Sequence, residues 1–284
     1  MKIYYSPKYV YENSLIETTK KSKWVSEQAI KEGFVLTEPE PLKRAEAELI
    51  HSKDYVDKLY DMTLKFSAIG TDWDADLLAS VQYSNGGVRD AVLDAINNRV
   101  AGTLSSGLHH AGVSHGKGFC QVNGLAFGAV LAQQHGFKVG VLDVDAHCGG
   151  GTYEILKDTG IAIYDLSTNE FDGYEPEPEH QVLEIADGDA DYLIKLMMGL
   201  RFLKERQKVN FILLNAGMDS TLDGISPEVL KIREKIIAKY CLDNNIKVVW
   251  VLAGGYLSKT ITEKDLVDLH MATLRAFQWR KNAV

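Results

Sequence analysis

Hydrophobic positions change rhythm near residue 138. From there, near-continuous apolar runs of strand length recur: "KVGVLDVD" (138–145), "IAIYDLS" (161–167), "NFILLNAG" (210–217) and "KVVWVLAGG" (247–255). Between the last three stand two longer stretches with helical spacing, "DADYLIKLMMGLRFLKERQ" and "SPEVLKIREKIIAKYCLDNN", the second opened by a Ser-Pro start signal. Apolar runs without inside/outside alternation, separated by amphipathic helices, predict a parallel sheet covered on both faces.

The first third is mixed and mainly helical. "KIYYS" predicts a short strand and "KSKWVSEQAIKEG" a helix stopped at Gly33. A proline-marked turn then leads into the helical spacing of "EPEPLKRAEAELIHSKDYVDKLYDM". A loop at "GTDWDAD" precedes "LLASVQYSNGGVRDAVLDAIN", whose pattern is helical apart from an internal Gly-Gly. "EPEPEH" (175–180) reads as a stiff acidic loop, and with no fixed-period repeat the expectation is one domain over residues 1–284.

Composition narrows the function classes. The 284 residues are 45% hydrophobic and 25% charged, as in ordinary globular proteins. The net charge of −8 and the lack of a dense Lys/Arg run argue against nucleic acid as a direct ligand. The start, "MKIYYSPKYVYENS", is too polar for a signal peptide, and no apolar run reaches the roughly 18 residues of a membrane span, so a cytoplasmic protein without membrane contact is expected. Three widely spaced cysteines, Cys120, Cys148 and Cys241, suit a reducing compartment.

Open parallel sheets bind ligands beyond the carboxyl ends of their strands. Asp143, Asp145 and His147 end one predicted strand, Asp219 follows another in "NAGMDS", and Tyr256 a third in "LAGGY". Asp145, His147 and Asp219 could supply three ligands to a divalent metal and leave a position open. Singly, each aspartate could equally be a turn former or helix cap. "HCGGGT" has the look of a phosphate loop but lacks a Walker lysine. In "SSGLHHAGVSHGKGFC", tandem His109 and His110 could serve as a base and a partner acid, while His115 reads as a solvated loop residue.

Taken together, "HSKDYVDKL", "GLHHA", "GFCQVNGLAFGA", "LDVDAH", "NAGMDS" and "LAGGY" stand in an order and spacing that resembles the histone deacetylase family, which includes acetylpolyamine and acetoin-utilization amidohydrolases. The resemblance implies a single-domain arginase-like α/β fold, a mostly parallel sheet of about eight strands with helices on both faces. It implies a zinc-dependent deacylase acting on acylated lysine or a small N-acyl amine. Carried over residue by residue, Asp145, His147 and Asp219 become zinc ligands, His109 and His110 flank the reacting water, Asp143 backs His109, and Tyr256 donates to the substrate carbonyl. Gly118 and Phe119 would line the acyl channel, and Asp72 would hold the substrate backbone at the rim. A monovalent cation, K⁺, would lie beside Asp143, Asp145, His147, Asp165, Leu166 and Ser167.

Three departures from the family pattern stand out. Cys148 replaces the usual histidine after the ligand histidine and reads best as a small buried filler, with a fourth ligand or a redox-sensitive thiol as alternatives. The glycine run before Tyr256 is shortened to "AGG". Gly150 replaces an Asp or Asn that in the family orients the second tandem histidine, so His110 is expected to lack its partner. That expectation keeps open a catalytically silent acyl-lysine-binding protein. An arginase-like ureohydrolase would need a carboxylate at position 149, where this chain has glycine.

Overall fold

The computed structural model describes residues 1–14, 17–177 and 179–278. Strands β1 (Lys2–Tyr4), β2 (Leu36–Thr37), β3 (Val100–Thr103), β4 (Val139–Asp143), β5 (Ala162–Ser167), β6 (Gln181–Ile185), β7 (Phe211–Asn215) and β8 (Lys247–Val251) form one sheet in the order β2-β1-β3-β8-β7-β4-β5-β6. Every pairing is parallel.

The central strands are apolar throughout because both faces are buried. On one face Leu142, Tyr164, Ile212, Leu214, Val248 and Trp250 pack against α1 (Lys21–Lys31), α7 (Gly188–Arg201), α8 (Pro227–Asp243) and α9 (Glu263–Phe277). The alternate residues Val139, Val141, Ile163, Phe211, Leu213, Val249 and Val251 pack against α4 (Ala75–Asn98), α5 (Gly124–Gln134) and α6 (Gly150–Leu156). Each such buried side chain is worth about 1.5–3 kcal/mol of transfer free energy. The four apolar runs are thus β4, β5, β7 and β8, with shorter bounds than the runs themselves, and the short strand predicted at "KIYYS" is β1.

Local signals explain the helix ends. Ser226 accepts from the Val229 amide at 3.3 Å and Pro227 occupies the first turn of α8. Asp74 accepts from the Leu77 amide at 2.8 Å and opens α4. The Gly-Gly inside α4 marks close approach: a β-carbon at Gly86 would lie 1.9 Å from the Glu40 carbonyl oxygen, and one at Gly87 2.0 Å from the Tyr9 hydroxyl.

A third apolar cluster joins α2 (Arg44–Ala47) and α3 (Lys53–Tyr60) to the flanks of α4 and α5 through Leu42, Tyr55, Leu59, Trp73, Leu77 and Phe127. It supports the loop over residues 61–74, from which Ser67 and Ile69 reach the pocket described next. No helix among the described residues is long and apolar enough to cross a membrane.

Candidate active site

Parallel strands place all their carboxyl ends on one edge of the sheet, and the segments that follow β3, β4, β7 and β8 line one pocket there. Its walls include His109, His110, Gly118, Phe119, Asp145, His147, Asp219 and Tyr256. Sequence positions more than a hundred residues apart are thereby brought together.

Beyond Asp143 the chain leaves the ladder and turns back on itself. The Asp145 amide donates to Asp143 Oδ1 at 3.2 Å, and the Gly254 amide donates to Asp145 Oδ2 at 2.7 Å. The Ala146 amide donates to Asp219 Oδ1 at 3.1 Å. One donor atom each from Asp145, His147 and Asp219 falls within 4.8 Å of the others. His147 Nδ1 lies 3.3 Å from Asp145 Oδ1 and 3.2 Å from Asp219 Oδ2.

This donor set fits a divalent metal ion. Asp219 Oδ2 is buried and, apart from the His147 Nδ1 contact, has no hydrogen-bond partner, an under-satisfied state that normally costs free energy. Burial and the neighbouring Asp145 raise the Asp219 carboxyl, and the two carboxylates pull His147 up to about 10. A bound dication would relieve the repulsion and take the place of the His147 proton.

The tandem histidines occupy contrasting environments. His109 Nδ1 lies 2.8 Å from Asp143 Oδ2, and Asp143 Oδ1 accepts from Asn215 Nδ2 at 2.8 Å. Burial opposes charge on His109, but Asp143 and Asp145 outweigh it and lift its pKa to about 10. For His110, burial and the adjacent His109 outweigh its own carboxylate and lower its pKa. The ring centroids are 4.0 Å apart. Two neighbouring imidazoles pushed in opposite directions are suited to separate acid and base roles.

His110 does not lack a partner, contrary to the expectation drawn from Gly150. Its Nδ1 lies 2.8 Å from Asp172 Oδ2, and Lys117 Nζ pairs with Asp172 Oδ1. Asp172 comes from the segment after β5. A β-carbon on Gly150 would lie 2.5 Å from the Asp172 carbonyl oxygen and 2.7 Å from Oδ1, so the glycine makes room for this carboxylate. Gly151 serves a similar end, since its β-carbon would lie 2.4 Å from the His110 carbonyl carbon.

Nor is the glycine run a phosphate cradle. The Gly149 amide donates to Asp165 Oδ2 at 2.7 Å and the Thr152 amide to the His109 carbonyl at 2.9 Å, so both are already used. Cys148 is fully buried with Sγ 3.4 Å from the Asn169 carbonyl, and burial pushes its thiol up to about 12, which matches a filler.

Phe119, 43% exposed, stands with Gly118 in the pocket wall. Asp72 is exposed on the segment that carries Ser67 and Ile69, outside the pocket lining. His115 is exposed, as its loop context predicts. Tyr256 is held protonated, its hydroxyl raised far above the usual tyrosine range by burial and by Asp219 and Asp145. Asp143 and Asp165 pair in register on β4 and β5, Ser167 Oγ donates to Asp165 Oδ1 at 2.7 Å, and burial together with Asp143 pushes Asp165 up to about 7.

Two residues of the site are not visible in the sequence pattern, Lys21 in the pocket wall and Asp172 behind His110. Lys21 is buried, donating to the Thr18 carbonyl (3.2 Å), Thr18 Oγ1 (2.9 Å) and Ser106 Oγ (3.0 Å), and burial pushes its ammonium down to about 8. Backbone strain also gathers here: Leu108, Phe119, Asp172 and Ala253 all take left-handed conformations, with φ of 58°, 67°, 62° and 52°. Such residues cost about 1–3 kcal/mol each and cluster at functional sites.

The family model for the histone deacetylase domain matches residues 12–177. The chain is 24% identical over 275 residues to Histone deacetylase 2 of Arabidopsis thaliana, covering 84% of this chain and 69% of that protein. It is 26% identical over 258 residues to a probable deacetylase of Archaeoglobus fulgidus, covering 79% and 70%. The fold is similar to that of acetylpolyamine aminohydrolase from Burkholderia pseudomallei, with a TM-score of 0.83, 17% identity and 98% of each chain covered.

Proposed function

Since the chain belongs to the histone deacetylase family, we propose that it is a zinc-dependent deacylase hydrolysing the amide of an acylated lysine or a small N-acyl amine. The observation that carries this reading is the convergence of Asp145, His147 and Asp219 with two oppositely tuned histidines and Tyr256 on one pocket.

Asp145, His147 and Asp219 would hold the zinc, which supplies Lewis acidity to the amide carbonyl and eases deprotonation of water. With Nδ1–H donated to Asp172, His110 presents Nε2 as an acceptor and takes the proton of the attacking water. His109, oriented by Asp143 through Nδ1 at 2.8 Å, has its cationic form favoured by that carboxylate and would stabilise the negative charge that develops beside it. The Tyr256 hydroxyl donates to the carbonyl oxygen as it becomes an oxyanion, a contribution worth about 2.7–4 kcal/mol in comparable sites. The carbon–oxygen bond forms, the carbon–nitrogen bond breaks, and the histidine pair returns a proton to the leaving amine. The products are a carboxylic acid and a free amine.

Gly118 and Phe119 would flank the acyl-bearing stem, and Asp72 would meet the substrate backbone at the rim. Asp143, Asp145, His147, Asp165, Leu166 and Ser167 would surround a K⁺ ion; the buried, in-register pair Asp143 and Asp165 supports this, because a cation would relieve its repulsion. The silent-binder alternative rested on a His110 without its carboxylate, and Asp172 removes that ground.

The test is metal analysis after stripping with a chelator and reloading with zinc. The wild type should bind one zinc per chain and recover hydrolysis, whereas Asp145→Ala should lose both. Stoichiometric zinc in Asp145→Ala would contradict the ligand assignment.

A further inference from the structure

We propose that Asp172 is the positioning residue for His110, supplied by the segment after β5 in place of position 150, and that Lys117 locks it through its other carboxylate oxygen. The inference rests on the deacylase reading for its catalytic consequence, but its structural content stands apart from it.

Four observations lead there. His110 Nδ1 and Asp172 Oδ2 are 2.8 Å apart, and both side chains are 7% exposed, so water competes little for the contact. Lys117 engages the other oxygen, Oδ1, from a side chain that is 44% exposed. Both carboxylate oxygens of Asp172 are thus engaged, one by each partner. Third, Asp172 takes a left-handed backbone, φ 62°, which aspartate tolerates better than most residues and which leads into Gly173. Finally, the space a carboxylate at position 150 would need is filled by Asp172 itself. Gly150 and Asp172 are two halves of one arrangement.

The same turn packs against the His110 and His147 rings. Phe171, next to Asp172, meets the His110 ring edge-on at 5.2 Å and the His147 ring at 5.7 Å, and Lys117 Nζ lies 5.6 Å from the Phe171 ring centre. Lys117 therefore contacts both the carboxylate that orients His110 and the Phe171 ring beside it. A carboxylate fixed in this way holds His110 in the Nδ1–H tautomer, with Nε2 directed at the reacting atoms.

The test combines a tautomer measurement with kinetics on the zinc-loaded protein. Long-range nitrogen–proton NMR on histidine-labelled protein should show His110 as the Nδ1–H tautomer in the wild type and as a mixture in Asp172→Ala. Asp172→Ala should lower kcat about 100-fold with KM changed less than twofold, because general acid–base contributions run from about 10² to 10⁴. Asp172→Asn keeps an acceptor for Nδ1–H, so it should retain the tautomer and lose less than about tenfold in kcat. It also guards against a folding defect in the alanine variant.

An Nε2–H tautomer for wild-type His110, or one unmoved in Asp172→Ala, would overturn the proposal whatever the enzyme's activity. So would a kcat for Asp172→Ala within threefold of wild type. A correct tautomer in a protein that hydrolyses no N-acyl amine would instead sink the deacylase reading and leave the positioning role standing.

Discussion

The His110 ring sits directly against the backbone of Gly118, where a β-carbon would lie 2.4 Å from His110 Cδ2. Gly118 also has a φ of 53°, a conformation that side-chain-bearing residues rarely adopt. Gly118→Ala should therefore displace the base and strain the turn together. We expect kcat to fall at least tenfold while the thermal midpoint drops by only a few degrees, as measured by steady-state kinetics and calorimetry. A variant with wild-type kcat would show that His110 tolerates displacement.

Restoring a carboxylate at position 150 should harm this protein. Gly150→Asp forces a β-carbon to 2.5 Å from the Asp172 carbonyl oxygen, and overpacking of this kind costs about 1–3 kcal/mol. Turnover should drop and the urea midpoint should decrease. An increase in kcat would mean that the loop yields and that Asp172 is dispensable.

Lys21 gives a pH signature of stability. A free lysine titrates near ~10.4, whereas burial lowers Lys21 to about 8 in the folded chain. Between these values the unfolded chain holds more protons than the folded one, so this residue makes stability rise with pH across the window, by roughly 3 kcal/mol in all. Lys21→Met should lack that rise. Urea unfolding of metal-free protein at pH 7.5 and pH 10 should show a gain in wild type relative to the variant; parallel behaviour would contradict the depressed lysine.

Strand faces can be tested at Gly102 in β3. A β-carbon there would lie 2.0 Å from the Trp250 ring on the neighbouring β8, so Gly102→Ala should destabilise by about 1–3 kcal/mol. Chemical denaturation measures this directly. A second substitution, Trp250→Phe, should recover part of the loss by vacating the ring edge.

Much of the architecture was legible because burial writes itself into the sequence. β4, β5, β7 and β8 are apolar on both faces and stand out as unbroken runs. β2 has two residues and β3 four, too few to establish a pattern, and β6 is only half-buried along most of its length. Asp145, His147, Asp219 and Tyr256 were legible as a polar group at strand ends. Asp172 was not, since 62 residues separate it from His110 and the packing of Gly150 against the loop after β5 is what brings them together. Lys21 stands in the sequence only as one residue of the helix "KSKWVSEQAIKEG", and its contacts with Thr18 and Ser106 are what reveal a buried ammonium.

The most direct test of the account is mass-spectrometric detection of amide hydrolysis by zinc-loaded protein across acetyl-lysine peptides, longer acyl-lysines and acetylpolyamines, with Tyr256→Phe alongside. The account predicts release of acid and amine from at least one class by the wild type, and a loss of about 10²–10³ in kcat in Tyr256→Phe with zinc retained. No hydrolysis across the panel with zinc bound, or turnover undiminished by Tyr256→Phe, would contradict it.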